Sequence, residues 1–198
     1  KERTLPSEPP QRGKRFLEVK PNVPADAFYK AWHMPGRFHA DYYAIDLLGD
    51  LLGRGQSSRL YQKLIRENEI FTSISSFVTG SVDPGLFVVS GRLKEGIKLT
   101  DAEAEVEKVI EEIRKDSKVA DELAKVKTQA ASILEFGEVE VINRAMNLAF
   151  ARLSGDANLV NAEAEKIEQV TAEDISRLPH EICRDDNASV LYYQALKN

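Results

Sequence analysis

The spacing of apolar residues changes from a period of two in the first half of the chain to a helical period in the second half. Between Ile70 and Thr79, β-branched and aromatic residues alternate with their neighbours, which predicts a strand. A turn follows at residues 83–85, and residues 86–93 return as a second strand that is apolar on both faces. These two strands are predicted to form a hairpin.

After residue 100, apolar residues recur at helical spacing and predict three successive amphipathic helices. Their stripes are Val106, Val109, Ile110 and Ile113, then Leu123, Val126, Ala130, Ile133 and Leu134, then Ile142, Met146, Ala149 and Leu153. Gly155 closes the third helix. A polar helix over residues 157–168 and a short last helix with Thr171 as its N-cap are expected to follow.

Further strands are predicted at residues 15–20, 26–34 and 188–195. Between the second strand and the hairpin, two helices are expected. The first ends at Gly53, and the second begins at Ser57 or Ser58, whose hydroxyl would cap the free amide groups. Its predicted buried residues are Leu60, Tyr61, Leu64 and Ile65.

The length and composition indicate a soluble globular protein of one domain, or at most two small ones. The chain has 198 residues, 42% of them hydrophobic, and is long enough to bury a core without a metal or crosslinks. Its net charge of −5 would repel a polyphosphate, so nucleic acid is not an expected partner. No apolar run approaches the roughly 20 residues that cross a bilayer, so no membrane span is expected. The single cysteine leaves the cellular compartment open.

The N-terminal segment is rich in proline. Five of the eight prolines lie within residues 1–24, which excludes a helix there. We predict a linker over residues 1–14 that leads into the first strand, and the chain, which begins with a lysine, is expected to come from a longer protein. A ragged terminus is the alternative interpretation.

The residues that most often carry catalysis do not form a recognisable motif. The spacing of His33, His39 and His180 does not bring zinc ligands together on one helix face. Cys183 has Arg184 beside it, which could lower the pKa of the thiol, but no partner histidine can be identified from spacing. A small buried residue near a helix end is the favoured interpretation of this cysteine.

Two further patterns have a structural and a functional interpretation. The segment from Gly53 to Arg59 holds two glycines ahead of a helix and could bind an anion, but a left-handed cap and a tight turn are favoured because it joins two helices. The acidic run from Asp101 to Glu112 has interleaved basic residues and is expected to be a solvated helix face.

The order of several short motifs is informative. Gly53-x-Gly55-x-Ser57-Ser58-Arg59-Leu60-Tyr61 is followed by Leu64, Glu67, Ile70, the segment Ser73 to Ser76, and Asp83-x-Gly85-Leu86-Phe87. Asp121-Glu122-Leu123, Asn143-Arg144-Ala145 and Val170-Thr171-Ala172-Glu173-Asp174-Ile175 come later. From about Arg15 to the C-terminus, this order resembles the second type of domain in the M16 zinc peptidases, the family of pitrilysin, insulinase and the mitochondrial processing peptidase.

The resemblance implies an α+β fold in which a mixed, mostly antiparallel sheet is covered by helices on one face, as in the LuxS/MPP-like metallohydrolases. Residues 15–198 would form the non-catalytic C-terminal domain. The family binds zinc through His-x-x-Glu-His and a later Glu, and this sequence holds no such stretch. The resemblance therefore implies no catalytic, metal-binding or cofactor-binding residue in this fragment, and places zinc in an upstream domain of a zinc metalloendopeptidase.

One departure from the family concerns the groups that assist catalysis. In M16 halves that complement an active half, an arginine and a tyrosine seven residues later hold the substrate backbone and the tetrahedral intermediate. The matching positions here are Ile65 and Thr72. An aliphatic side chain donates no hydrogen bond and a threonine hydroxyl is shorter than a phenol, so we predict that this pair does not replace the arginine and tyrosine.

The resemblance leaves three functional hypotheses. The leading one is a non-catalytic domain that packs on its zinc-bearing sister and helps to enclose a peptide-binding chamber, with extended substrate added at an edge strand and a second M16 half or subunit as a further partner. The alternative is an interaction domain of a catalytically dead M16-like protein. The third is an anion-binding or nucleotide-binding module that uses the segment from Gly53 to Arg59.

Overall fold

A computed structural model describes residues 9–116 and 118–196 of the chain. Its strands form one five-stranded sheet with the order β1-β5-β2-β4-β3. The strands are β1 (Arg15–Val19), β2 (Ala27–Met34), β3 (Phe71–Val78), β4 (Gly85–Leu93) and β5 (Ala188–Tyr193). β1 runs parallel to β5, and all other neighbours are antiparallel. The sheet is therefore mixed and mostly antiparallel, as expected, and the predicted hairpin is β3–β4.

The helices are α1 (Tyr42–Gly53), α2 (Leu99–Ile113), α3 (Val119–Gly137), α4 (Val141–Leu153), α5 (Leu159–Gln169) and α6 (Ala172–Ile182), with a π-helical segment at Tyr61–Glu67 and a 3-10 turn at Asp185–Asn187. Thr171 caps α6 as predicted, because its hydroxyl accepts from the Asp174 amide and the Asp174 carboxylate accepts from the Thr171 amide. Within the described residues, no helix is both long and apolar enough to span a membrane.

The helices cover one face of the sheet. Along β2, Phe28, Lys30 and Trp32 point toward the helices and are buried, whereas Tyr29 on the opposite face is 43% exposed. Side chains alternate across a strand, so the same division extends through β4 and β5. The core lies between this covered face and α1, α2, α3 and α6. The predicted α+β class is confirmed.

Glycine allows α1 to lie close against the sheet. A Cβ atom added at Gly53 would lie 2.0 Å from the backbone nitrogen of Ser76 in β3. Gly55 then adopts a positive φ of 75°, which reverses the chain between α1 and the next helix. The favoured structural interpretation of this glycine segment agrees with both features.

One expectation about the helices was wrong, and one predicted helix is more exposed than its neighbours. Ser58 does not cap the helix that follows it, because its hydroxyl donates to the Gly55 carbonyl at 2.8 Å across the turn. The third apolar stripe does form a helix, α4, but that stripe is not buried. Ile142, Met146 and Leu153 are 61%, 63% and 88% exposed, and Ala151 is the one buried residue of the helix.

The end of the predicted linker is held against the domain. The Gln11 side-chain amide donates to the Ala188 carbonyl at 2.7 Å, and Lys14 Nζ lies 2.9 Å from Glu103 Oε1 in α2. Residues 1–8 lie outside the described residues. The part of the linker nearest to β1 is thus fixed by two side chains.

Candidate functional site

The three histidines are not arranged to bind a metal ion. His33 is on β2, His39 follows the turn after β2, and His180 is exposed near the end of α6. His33 and His39 border a cleft with Asp41 and Glu181, but Asp41 is paired with Arg177 at 2.5 Å. Across the described residues, no three His, Cys, Asp or Glu side chains are placed to hold a metal ion together.

Cys183 is not set up as a nucleophile. It ends α6 and packs against the core, and this burial raises the pKa of its thiol to about 12. The neighbouring Arg184, expected to lower that pKa, pairs instead with Asp186 at 3.2 Å. A thiol with a raised pKa carries almost no thiolate at neutral pH, which agrees with the favoured structural interpretation.

Both arginines of the glycine segment are already paired, Arg54 with Asp50 at 2.9 Å and Arg59 with two carboxylates. Arg59 Nε donates to Glu122 in α3 at 2.7 Å, and its guanidinium also lies 3.0 Å from Asp116. The Arg59 side chain is only 10% exposed. Two carboxylates offset the positive charge of Arg59, so little attraction for a phosphate remains. The Arg59 side chain instead ties this segment to α3.

Ile65 and Thr72 lie on adjacent elements, but their surroundings differ. Ile65 lies in the π-helical segment and packs on the edge of the core. Thr72 is exposed at a β-bulge, where the register shifts between Phe71 and Ser73. Its hydroxyl donates to the Arg92 carbonyl of its own hairpin at 3.2 Å. In this conformation the hydroxyl proton of Thr72 is used within the hairpin.

A buried ionic cluster lies between the sheet and α2, and the sequence analysis did not identify it. Lys30 on β2 is 1% exposed and lies 2.8 Å from Glu103 Oε1. Tyr192 on β5 donates to the other oxygen of Glu103 at 2.5 Å, and Glu107 also pairs with Lys30. Burial would raise the pKa of Glu103, but hydrogen bonds from Lys30, Tyr192 and Lys14 outweigh it and lower the pKa to about 2.

This cluster corrects the interpretation of the acidic run as a solvated face. Glu103 is buried, although Glu105 and Glu111 of the same run make surface ion pairs. Two signals in the sequence could have shown it. Lys30 sits at an inward position of an apolar strand, and Glu103 shares the helix face of Leu99, Val106 and Ile110. A charge at a core position calls for a partner of opposite charge.

A second group of buried charge lies on α1. Asp46 and Asp50 are one helical turn apart, and Asp50 pairs with Arg54 at 2.9 Å. Burial raises the pKa of both carboxyl groups, that of Asp50 to about 6. Two acids and one arginine do not make a site by themselves, but they make the stability of α1 depend on pH.

The face of the sheet opposite the helices carries several exposed apolar side chains. We call it the open sheet face. Its apolar members are Leu17, Tyr29, Phe77, Leu86, Val88 and Leu191, and Ser73, Ser75, Ser90 and Arg92 share the face with them. Tyr29, Phe77 and Leu17 are 43%, 47% and 58% exposed. The outer edge of β3 bounds this face, and no strand within residues 9–116 and 118–196 pairs with that edge. An exposed apolar sheet with a free edge is suited to binding another chain.

The family model of the peptidase M16 inactive domain matches residues 1–130. The chain belongs to the M16 inactive-domain family. The resemblance inferred from the motifs is thus confirmed.

Solved structures support the fold of this M16 inactive domain. A protease from Helicobacter pylori superposes with a TM-score of 0.89 at 21% identity, covering 98% of this chain and 48% of that one. The inactive peptidase domain of a proposed zinc protease from Bordetella parapertussis gives a TM-score of 0.77 at 19% identity, with 88% and 95% covered. A chain of complex III2 from Candida albicans gives 0.73 at 15% identity, with 91% and 45% covered.

These identities establish the fold alone. This M16 inactive domain spans about half the length of the Helicobacter and Candida chains. A comparison with curated proteins gives no match. The zinc that the family name suggests does not fit the side chains described here, since they hold no cluster of three ligands.

Proposed function

We propose that this M16 inactive domain packs on a zinc-bearing sister domain of a metalloendopeptidase and forms part of the wall of a peptide-binding chamber. Family membership and the half-length match to the Helicobacter protease support a sister domain. The observation that carries the proposal is the open sheet face. It combines exposed apolar residues with serines, it is bounded by the free edge of β3, and the described residues beside it form no metal site.

The open sheet face supplies two ways of holding an extended peptide. Backbone groups along β3 can pair with an added strand, which binds peptides without regard to sequence. Phe77 on β3 then offers apolar area to the side chains of that strand that point to the same face. The chemistry of peptide cleavage would reside on zinc in the sister domain, and this domain would hold substrate without touching the reacting atoms.

Peptide cross-linking tests the chamber wall. A photoreactive amino acid at Phe77, in a polypeptide that carries the preceding M16 domain, should capture a bound substrate peptide. The matched control is the same group at Val82, which is similarly exposed at 49% but lies in the turn between β3 and β4. Equal capture at the two positions would refute the chamber role. Chelator-sensitive hydrolysis by the 198-residue chain alone would refute its non-catalytic character.

The proposal includes Ile65 and Thr72, which we infer do not replace the arginine and tyrosine of complementing M16 halves. Ile65 packs on the core, and the Thr72 hydroxyl donates within its hairpin. The variant Thr72→Val should therefore leave kcat for a peptide unchanged in the two-domain protein. A tenfold loss of kcat at unchanged stability would show that the hydroxyl acts on substrate.

A structural subunit is the second candidate. It is favoured by the similarity in fold to a chain of complex III2 from Candida albicans. The two candidates differ in one feature of the sister domain, since a peptidase requires His-x-x-Glu-His there and an interaction subunit does not. The peptidase hypothesis would be supported if the upstream domain contains this motif and if mutating the motif abolishes peptide hydrolysis.

A further inference from the structure

The exposed apolar residues of the chain are concentrated on one helical hairpin. They lie on the end of α3, on the turn after it and on α4, and we call them the hairpin surface. Its members are Ile133, Phe136, Val139, Val141, Ile142, Met146 and Leu153. Phe136, Val139 and Val141 are 77%, 75% and 79% exposed. A concentration of exposed apolar residues of this kind marks an interaction site in soluble proteins.

The shape of the hairpin surface identifies the kind of partner that would fit it. Every residue of α4 from 141 to 150 is exposed, so this helix is a ridge that stands away from the core. It packs on α5 within the domain and leaves its apolar residues in water. An extended peptide binds a groove or a strand edge, and a ridge offers neither. A ridge requires a folded partner that supplies the groove.

The charged residues near the ridge indicate which charges the rim of that groove should carry. α4 carries Arg144 and Arg152, whereas Glu135, Glu138 and Glu140 lie exposed at the end of α3 and in the turn. Neither arginine takes part in an ion pair with the rest of the described chain, and both are exposed. A partner groove that is apolar at its centre, acidic opposite α4 and basic opposite the turn would complement this surface.

We propose that the hairpin surface is the docking site for the sister domain of the same polypeptide. This inference rests on the proposed function and adds the surface through which the two domains pack. Relatives in solved structures argue for this occupant, because the chain covers 48%, 47% and 46% of three of them. In each, a domain of this fold is joined to a similar length of chain, which gives a covalently linked partner a high effective concentration.

Cysteine labelling tests the surface directly. Met146→Cys places a thiol at the centre of α4, and Val82→Cys is a matched control on an exposed apolar residue outside the hairpin surface. The native Cys183 contributes little labelling because burial raises the pKa of its thiol to about 12. A maleimide should label Met146→Cys at least tenfold more slowly in the two-domain protein than in the 198-residue chain. The rate at Val82→Cys should be the same in both.

Three results would overturn the proposal. Protection at a Tyr29→Cys variant but not at Met146→Cys would mean that the sister packs on the open sheet face, so packing would stand and this surface would not. If each of the three variants were labelled at the same rate in the two-domain protein as in the 198-residue chain, the domains would not pack on each other at all. The proposed function would then fail together with this inference. Protection of Met146→Cys in the 198-residue chain that grows with protein concentration would identify a second copy as the occupant.

Discussion

Lys30 of β2 and Glu103 of α2 form an ion pair of 2.8 Å inside the domain, with the lysine 1% exposed. The pair joins the middle of the sheet to the first long helix of the second half. It is completed by Tyr192 and by Lys14, which comes from the segment that precedes β1. One carboxylate therefore connects four parts of the chain that are distant in sequence.

Removing only the lysine should destabilise the domain strongly. Lys30→Met leaves Glu103 partly unpaired in a buried position, which costs about 3 kcal/mol of unfolding free energy. The double variant Lys30→Met with Glu103→Leu removes both charges and should recover most of that loss. Urea denaturation of the 198-residue chain measures both. If the double variant were as unstable as the single one, the loss would come from packing rather than from the unpaired charge.

Acid should weaken this cluster in a defined range of pH. The pKa of Glu103 is lowered from 4.5 to about 2 in the folded domain. The contribution of Glu103 to stability is therefore complete above its unfolded pKa and is lost as pH falls from about 4.5 toward 2. Its size is about 3 kcal/mol. Thermal unfolding at pH 5 and pH 2.5 should show a larger drop for the native chain than for Glu103→Gln, and equal drops would exclude this group as the cause.

Asp50 on α1 should act in the opposite direction and at higher pH. Burial raises its folded pKa from 3.8 to about 6, so the folded domain holds this proton more tightly than the unfolded chain does. The stability from this group is complete below about pH 4 and is lost as pH rises through about 6.

The variant Asp50→Asn removes this charge and isolates its effect. It should stabilise the domain at pH 7.5, by at most about 3 kcal/mol, and flatten the stability profile between pH 4 and 7. The partner Arg54 is 46% exposed and remains solvated in the variant. A destabilised Asp50→Asn variant at pH 7.5 would show that the ion pair with Arg54 outweighs the cost of burial.

Features of the fold that depend on neighbouring residues could be predicted from the sequence. The β3–β4 hairpin follows from alternation around a Pro-Gly turn, and the Thr171 cap follows from a Thr and an Asp three residues apart. Ser58 was predicted wrongly because the positive φ of Gly55 brings a carbonyl within reach of its hydroxyl. That carbonyl competes with the free amide groups, and spacing alone does not reveal it.

Features that depend on tertiary contacts could not be predicted. Nothing near Lys30 in the sequence identifies Glu103 as its partner, because 73 positions separate them. The apolar stripe of α4 predicts a helix correctly, but periodicity does not say whether the covering surface belongs to the same domain. The structure shows what Ile65 and Thr72 contact. That these two residues do not replace the arginine and tyrosine in catalysis stays a prediction.

The close approach of α1 to β3 gives a final prediction. In Gly53→Ala the new Cβ would lie 2.0 Å from the Ser76 nitrogen and 2.7 Å from its Cα, both backbone atoms that cannot move aside. We expect a loss of at least about 3 kcal/mol of unfolding free energy. Gly137→Ala is a matched control, because Gly137 also ends a helix and a Cβ there would meet nothing within 4 Å. Guanidinium denaturation should leave this control unchanged or slightly more stable. Equal midpoints for the two variants would mean that α1 can shift away from the sheet at little cost.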